Sequence, residues 1–106
     1  MKSIQNRETE LLFEAILSLR TVEECGMFFE DVCTIKELQA MSQRFLVACQ
    51  LNSDRNYPEV SESTGASSAT ISRVNKCLLY GKGGYKTVIE RLNTSGKLVN
   101  TYDSEK

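Results

Sequence analysis

Apolar residues recur with a helical period along most of the chain. In residues 6–19, four of them have the i, i+3, i+4, i+7 spacing of one helical face: Leu12, Ala15, Ile16 and Leu19. Three more widen the apolar surface beyond what a surface helix requires: Leu11, Phe13 and Leu17. A helix that is apolar on two sides needs two partners, and a second subunit could be one of them.

Two further helices are indicated by capping signals. Thr21 is followed three residues later by Glu24, and Thr34 by Glu37, which is the spacing of a capping box. The helix that begins after Thr34 has a predicted buried stripe: Leu38, Met41, Phe45, Ala48 and Cys49. Residues 52–56 are polar and rich in turn formers, so they are interpreted as the loop that ends this helix.

Residues 57–80 predict two helices joined by a tight turn. Pro58 suits the first turn of a helix, and Gly65 can adopt the left-handed conformation that ends one. Ser67 is the expected N-cap of the next helix, residues 68–80. Four apolar residues are expected to face inward: Val60, Ile71, Val74 and Leu78. This is helix–turn–helix spacing, although any tight corner between two helices could show it.

Three glycines follow, at positions 81, 83 and 84, and they should end this helix and begin a last one. The last helix would turn three apolar residues inward: Val88, Ile89 and Leu92. The loop backbone, with Lys82 and Lys86, could hold a phosphate, but the loop could equally be a plain connector. The predicted fold is all-α with about six helices, formed by residues 1–95, and residues 96–106 are expected to be a flexible polar tail.

Charge is distributed unevenly along the chain. The net charge of the 106 residues is −1, but residues 1–33 carry −4 and residues 66–97 carry +5. A local positive surface is typical of phosphate binding, although a mixed solvated face would also explain some of these cations. Short or basic residues at the start of the second helix of the corner would allow it to enter a DNA groove. The predicted DNA contacts are Ser67, Ser68, Ala69, Thr70, Ser72, Arg73 and Lys76.

Composition disfavours several other classes of protein. There is no histidine, the commonest general acid or base near neutral pH, so catalysis is not expected. The four cysteines lack metal-ligand spacing, and they are interpreted as free, buried thiols rather than as a metal site or disulfides. No apolar run approaches the roughly 20 residues that span a bilayer, and the first residues do not resemble a signal peptide. We therefore expect a cytoplasmic protein without a cofactor or a membrane partner.

Two sequence motifs resemble the Trp repressor family. They are Thr34-x9-Arg44 and Gly65-Ala66-x3-Thr70-Ile71-x-Arg73, and the second is similar to the repressor's helix–turn–helix. The longer stretch "ELQAMSQRFLVACQL…YPEVSESTGASSATISRVNKCLLYGKGGY" resembles the related YerC/YecD branch, and the similarity covers roughly residues 10–95. The resemblance implies a Trp-repressor-like intertwined homodimer with interlocked N-terminal helices. It also implies that paired recognition helices bind a palindromic operator in double-stranded DNA.

The same resemblance suggests where a small effector would bind. Arg44 and Arg73 match the two arginines that enclose the indole ring in the repressor, and Thr34 matches a threonine that contacts the ligand. Val74 stands where the repressor has a glycine, and Cys77 where it has a serine that helps to hold the amino group. The possible effector contacts are therefore Thr34, Arg44, Arg73 and Cys77, but the departures argue against tryptophan and leave another effector open.

Taken together, the patterns favour a homodimeric, sequence-specific DNA-binding transcriptional regulator. We expect this regulator to be a repressor. The alternative is a helical dimer that does not bind DNA and serves as a protein-interaction or small-molecule-sensing module. The placement of Lys76, Lys82 and Lys86 separates the two hypotheses, because DNA binding requires them to share a surface with Arg73.

Overall fold

The chain folds into helices joined by short connections. The computed structural model describes residues 6–98, and within that range it contains six α-helices and no strands. The helices are α1 (Arg7–Leu17), α2 (Val22–Val32), α3 (Ile35–Asn52), α4 (Tyr57–Thr64), α5 (Ser68–Tyr80) and α6 (Gly84–Thr94). The predicted all-α fold is confirmed for this part of the chain. The contacts divide it into two compact units, one ending at Leu38 and one beginning at Gln39, and α3 passes through the division.

Threonine caps fix the starts of α2 and α3. The Thr34 hydroxyl accepts the Glu37 N–H at 3.0 Å, and the Glu37 carboxylate accepts the Thr34 N–H at 2.8 Å, which completes the predicted capping box. At α2, Thr21 accepts the Glu24 N–H as expected. The Glu24 carboxylate, however, accepts the N–H of Arg20 and not that of Thr21, so this box closes one residue earlier than predicted.

Helices α1 and α2, which belong to the first unit, contain no fully buried side chain. Leu19 and two of the predicted inward residues of α1, Ala15 and Ile16, are partly exposed, and Leu12 is 40 % exposed. The large apolar side chains exposed on these two helices are Leu11, Leu12, Phe13, Leu17, Val22, Met27 and Val32. The described chain therefore leaves the apolar surface of its N-terminal helices largely uncovered.

The second unit contains the buried core. Its α5 packs against both α4 and α6. The core residues are Val47, Ala48, Cys49, Val60, Ala66, Ile71, Val74, Leu78, Ile89 and Leu98. The four inward residues predicted for the helix–turn–helix all belong to this core. Of those predicted for α6, Ile89 is buried, Leu92 is partly buried against the core, and Val88 is exposed.

The burial of α3 differs from the predicted stripe. Residues 47–50 are all 0 % exposed, including the polar Gln50, whereas the expected core residue Met41 is exposed. Successive helical residues are about 100° apart, so four in a row point to every side of the helix. This part of α3 is therefore enclosed all round, which a search for one apolar face cannot detect.

The buried core extends past the boundary predicted after residue 95. Leu98 is only 5 % exposed and packs with the core, beyond a turn in which Gly96 has a φ of 77°. The remainder of the predicted flexible tail, residues 99–106, lies outside the described residues.

Candidate nucleic-acid interface

The connection between α4 and α5 is a tight, internally hydrogen-bonded turn. Gly65 has φ 77° and ψ 5°, a left-handed conformation, and its N–H is hydrogen-bonded to the Ser61 carbonyl at 2.9 Å. The Ser61 hydroxyl donates to the Ala66 carbonyl at 3.1 Å, and the Thr64 hydroxyl accepts the Ala66 N–H at 3.1 Å. With Ala66 buried as well, the backbone has little freedom to change the angle between the two helices.

Two glutamines of α3 hold the end of α4. The Gln43 side-chain amide donates to the Thr64 carbonyl at 3.2 Å, and the Ser63 hydroxyl donates to the Gln50 side-chain oxygen at 2.8 Å. Gln43 and Gln50 are seven residues apart and therefore lie on one side of α3. The sequence prediction missed both residues. For Gln50 the available signal was a polar residue within the otherwise apolar run of residues 45–51.

Helix α5 begins where the sequence predicts. Ser67 is its N-cap and accepts the Thr70 N–H at 3.1 Å, and the buried Ile71, Val74 and Leu78 fix one side of the helix to the core. The Ser67 hydroxyl also donates to the Thr70 hydroxyl oxygen at 3.2 Å. Both hydrogen-bonding roles of the Ser67 hydroxyl are thus occupied within the helix start, although the residue was predicted as a DNA contact.

The opposite side of α5 is exposed and carries positive charge. Ser68, Ala69, Ser72, Arg73 and Lys76 are exposed, and Thr70 is half-buried. No acidic residue occurs between Ser67 and Tyr80. Arg73 and Lys76 are three positions apart, so they lie on the same face. A helix start with short side chains, followed by cations, is compatible with entry into a DNA groove.

Of the three glycines that follow α5, the backbone requires the two in the loop before α6, Gly81 and Gly83. A Cβ at Gly81 would collide with the Cys77 carbonyl oxygen, and Gly83 has φ 88°. At Gly84 a Cβ would meet nothing within 4 Å. Lys82 in this loop and Lys86 on α6 are exposed, and Gly83 leaves the start of α6 without a side-chain cap. The two predicted phosphate contacts, Lys82 and Lys86, are therefore accessible to a ligand. Neither lies on α5, the helix that carries Arg73.

An apolar groove of about 590 Å³ lies between α3, α5 and α6. Its lining residues are Phe45, Cys77, Gly81, Lys82, Gly84, Tyr85 and Val88. The rings of Phe45 and Tyr85 are stacked, with centroids 6.4 Å apart. Cys77 and Lys82, which the sequence assigned to an effector and to a phosphate respectively, therefore meet at one groove.

The other residues predicted to contact an effector have different surroundings. Arg44 is half-buried and Arg73 is exposed, and both belong to the second unit, whereas Thr34 belongs to the first. The Thr34 hydroxyl accepts the hydrogen bond that caps α3. Val74, which stands where the repressor has a glycine, is 1 % exposed and packs into the protein's own core, as its inward position predicts.

The four cysteines lie outside any disulfide in the described structure, but only Cys49 matches the predicted burial. Burial raises the pKa of the Cys49 thiol above its ordinary value, because the thiolate would lose its hydration. Cys33 is half-buried, and Cys25 and Cys77 are exposed, so the prediction of four buried thiols is wrong for these two. In the described part of the chain, no three potential ligands are grouped to hold a metal ion, and no helix has both the length and the apolar character that crossing a bilayer requires.

Known proteins resemble the chain in both sequence and fold. The family model described as Trp repressor protein matches residues 7–93. The Bacillus subtilis (strain 168) protein YerC, described as uncharacterized, is 45% identical over 89 residues, which cover 84% of this chain and 86% of that protein. The crystal structure of a TrpR-like protein from Eubacterium eligens ATCC 27750 is 52% identical and superimposes with a TM-score of 0.84, covering 88% of this chain and 96% of that one. A Staphylococcus aureus protein, described as a candidate Trp repressor, has the same TM-score of 0.84 at 39% identity, with 87% and 92% covered.

Proposed function

The chain belongs to the Trp repressor family, in the branch related to YerC, and on that premise we propose that it is a sequence-specific DNA-binding transcriptional regulator. It acts as a repressor, in the cytoplasm and without catalytic activity. The observation that carries the proposal is the exposed, acid-free face of α5, which a rigid turn and the core hold at a fixed angle to α4. Double-stranded DNA is the partner that fits a helix of this kind.

The proposed division of labour follows the position of each residue on α5. Ser68, Ala69, Thr70 and Ser72 read base edges, because short side chains at the start of a recognition helix allow close approach to the groove. Arg73 and Lys76, with Lys82 and Lys86, neutralise phosphates and release counterions. Ser67 contributes by fixing the helix start, since its hydroxyl is already hydrogen-bonded twice to Thr70.

A second copy of the chain completes the proposed regulator. Leu17 and Val22 are 82% and 83% exposed, and five more large apolar side chains of α1 and α2 are also exposed. Apolar surface on this scale is typical of a subunit interface. A twofold dimer presents two copies of α5 to half-sites about 34–36 Å apart, which requires a palindromic operator.

A small effector is part of the proposal, with Arg44, Arg73 and Cys77 of the second unit as its contacts. Tryptophan is not the proposed ligand. The thiol of Cys77 is a weak hydrogen-bonding group where the repressor has a serine that helps to hold the amino group.

The second candidate function is a helical dimer that binds no DNA and senses a small molecule or a protein. The apolar groove beside Cys77 and Lys82 favours it, since ligand sites are concave and mostly apolar. Lys82 lines this groove, whereas Arg73 and Lys76 lie on the outward face of α5. Their positions along the chain therefore do not place all of these cations on one surface.

Selection of bound duplexes from a random DNA pool tests the proposal. We expect recovery of a palindrome whose half-sites are about one helical turn apart. A matched selection with Arg73→Gln and Lys76→Gln together should recover no enriched sequence. Failure of the full-length chain to retain any duplex at low salt would favour the sensing module.

A further inference from the structure

Tyr80 is the last residue of α5. Among the large hydrophobic side chains exposed on the described helices, only Leu17 and Val22 are more exposed. The exposure of Tyr80 is 81%, although tyrosine usually buries much of its ring. The helix ends directly after it, at Gly81. The phenol therefore projects from the end of the helix that the proposed function places in DNA.

The register of α5 aligns Tyr80 with the cations of the proposed interface. Ala69, Arg73, Lys76 and Tyr80 are spaced i, i+4, i+7 and i+11, which places them in one row along the helix. At about 100° per residue, this row is opposite the buried side of the helix. All four residues are exposed. A surface that receives Arg73 and Lys76 therefore also receives Tyr80.

The length of the row indicates which part of the DNA Tyr80 meets. At about 1.5 Å per residue, Ala69 and Tyr80 are about 16 Å apart along the helix axis. The major groove is about 12 Å wide, so a helix that places Ala69 near the bases carries Tyr80 out to the sugar–phosphate backbone. A phenolic O–H at that position has phosphate oxygens as its acceptors.

We propose that Tyr80 is a DNA-backbone contact, in which its hydroxyl donates a hydrogen bond to a phosphate oxygen at the rim of the major groove. This inference rests on the proposed function and adds a residue that the sequence motif did not include. Unlike a lysine, the neutral phenol displaces no counterion. Its contribution is therefore independent of base sequence and leaves the salt dependence of binding unchanged.

Tyr80→Phe tests the inference, because it removes only the hydroxyl. We expect affinity for the selected duplex and for a random duplex to fall equally, by about tenfold per subunit. The slope of log K against log salt should match that of the wild type. Lys76→Met, in contrast, should reduce this slope by about one for each subunit.

Tyr85→Phe is the matched control. It makes the same chemical change on a half-buried ring stacked against Phe45, and we expect DNA affinity to be unaltered. Wild-type protein that binds no duplex would refute the proposed function itself. If the wild type binds, three results for Tyr80→Phe would overturn the role of Tyr80 alone. They are an affinity equal to that of the wild type, a loss on only one of the two duplexes, and an altered salt slope.

Discussion

Gly65 determines the direction in which the chain leaves α4. Its φ of 77° lies in the left-handed region, where a Cβ collides with the following carbonyl oxygen. Space around the residue is not the constraint, because the nearest heavy atom to a Cβ would be the Gln43 side-chain nitrogen at 3.9 Å. Backbone conformation alone therefore requires glycine here.

Gly65→Ala should lower the free energy of unfolding by about 1–2 kcal/mol. Chemical denaturation measures the change. Gly84→Ala is the control, because that residue lies in α6 without positive φ and with open space around it, so the substitution should raise stability by about 0.5–1 kcal/mol. Equal effects of the two substitutions would contradict the conformational explanation.

Thr70→Ala and Lys76→Ala should separate base reading from phosphate binding. The first should reduce the preference for the selected duplex over a random one, because Thr70 lies in the first turn of α5. The second should weaken binding to both duplexes alike. Gel shifts on the two duplexes measure both effects, and an equal loss on both for Thr70→Ala would refute its reading role.

The Cys49 thiol should make stability depend on pH at the alkaline end. Its pKa is raised in the folded state from the ordinary value of 9.0, so the unfolded chain releases the proton first. The associated stability is complete below about pH 9 and is lost as the pH rises through the folded pKa. Unfolding free energies measured from pH 8 upward should decline less steeply in Cys49→Ala. Parallel curves for the two proteins would contradict this.

At the scale of elements, short caps and turns decide where each helix begins. Helix α4 has only eight residues, and Asn56 and Glu59 close a complete capping box at its start. A helix this short has little stability of its own. Its N-terminal cap and its two hydrogen bonds to the glutamines of α3 therefore help to fix the angle between α4 and α5.

Asn56→Ala should lower the free energy of unfolding by about 1 kcal/mol, because the Glu59 N–H in the first turn of α4 loses its acceptor. The exposed Asn93, inside α6, provides a control in which the same substitution should be neutral or slightly stabilising. Thermal or urea unfolding distinguishes the two. A loss at Asn93 as large as that at Asn56 would argue against capping as the cause.

The sequence predicts these elements unevenly, for identifiable reasons. The span of α5 is correct to the residue because Ser67 and Gly81 are strong local signals at its two ends. The enclosure of α3 was missed because periodicity reports one face only. The hydrogen bond from Gln43 to the Thr64 carbonyl was missed because its partners are 21 residues apart and one of them is backbone.

At the scale of the whole molecule, the two units differ in how they are stabilised. The second unit surrounds Val47, Ile71 and Ile89 completely, whereas α1 and α2 of the first bury no side chain fully. The family resemblance implies that N-terminal helices interlock between subunits. The apolar pattern of α1 by itself indicates that this helix needs a further partner, and a second subunit is the one the resemblance names.

Leu17→Glu should prevent the proposed dimer from forming, because it places a charge within the exposed apolar surface of α1. Analytical ultracentrifugation should give one subunit mass for this variant and twice that mass for the wild type. Leu79→Glu alters another exposed leucine, on α5, and should leave the mass unchanged. For the wild type, tenfold dilution should also lower the thermal midpoint. A single-subunit mass for undiluted wild type would exclude the dimer.

The uncovered leucines and valines of α1 and α2 also affect the fate of a newly synthesised chain. If the proposed dimer forms, a chain that has not yet met its second copy offers these side chains to chaperones and proteases, which act on incompletely packed polypeptides. Degradation would then fall most heavily on solitary copies. The rate of synthesis would control the lifetime of the protein as well as its amount, so the occupancy of its proposed DNA sites would respond steeply to modest changes in expression.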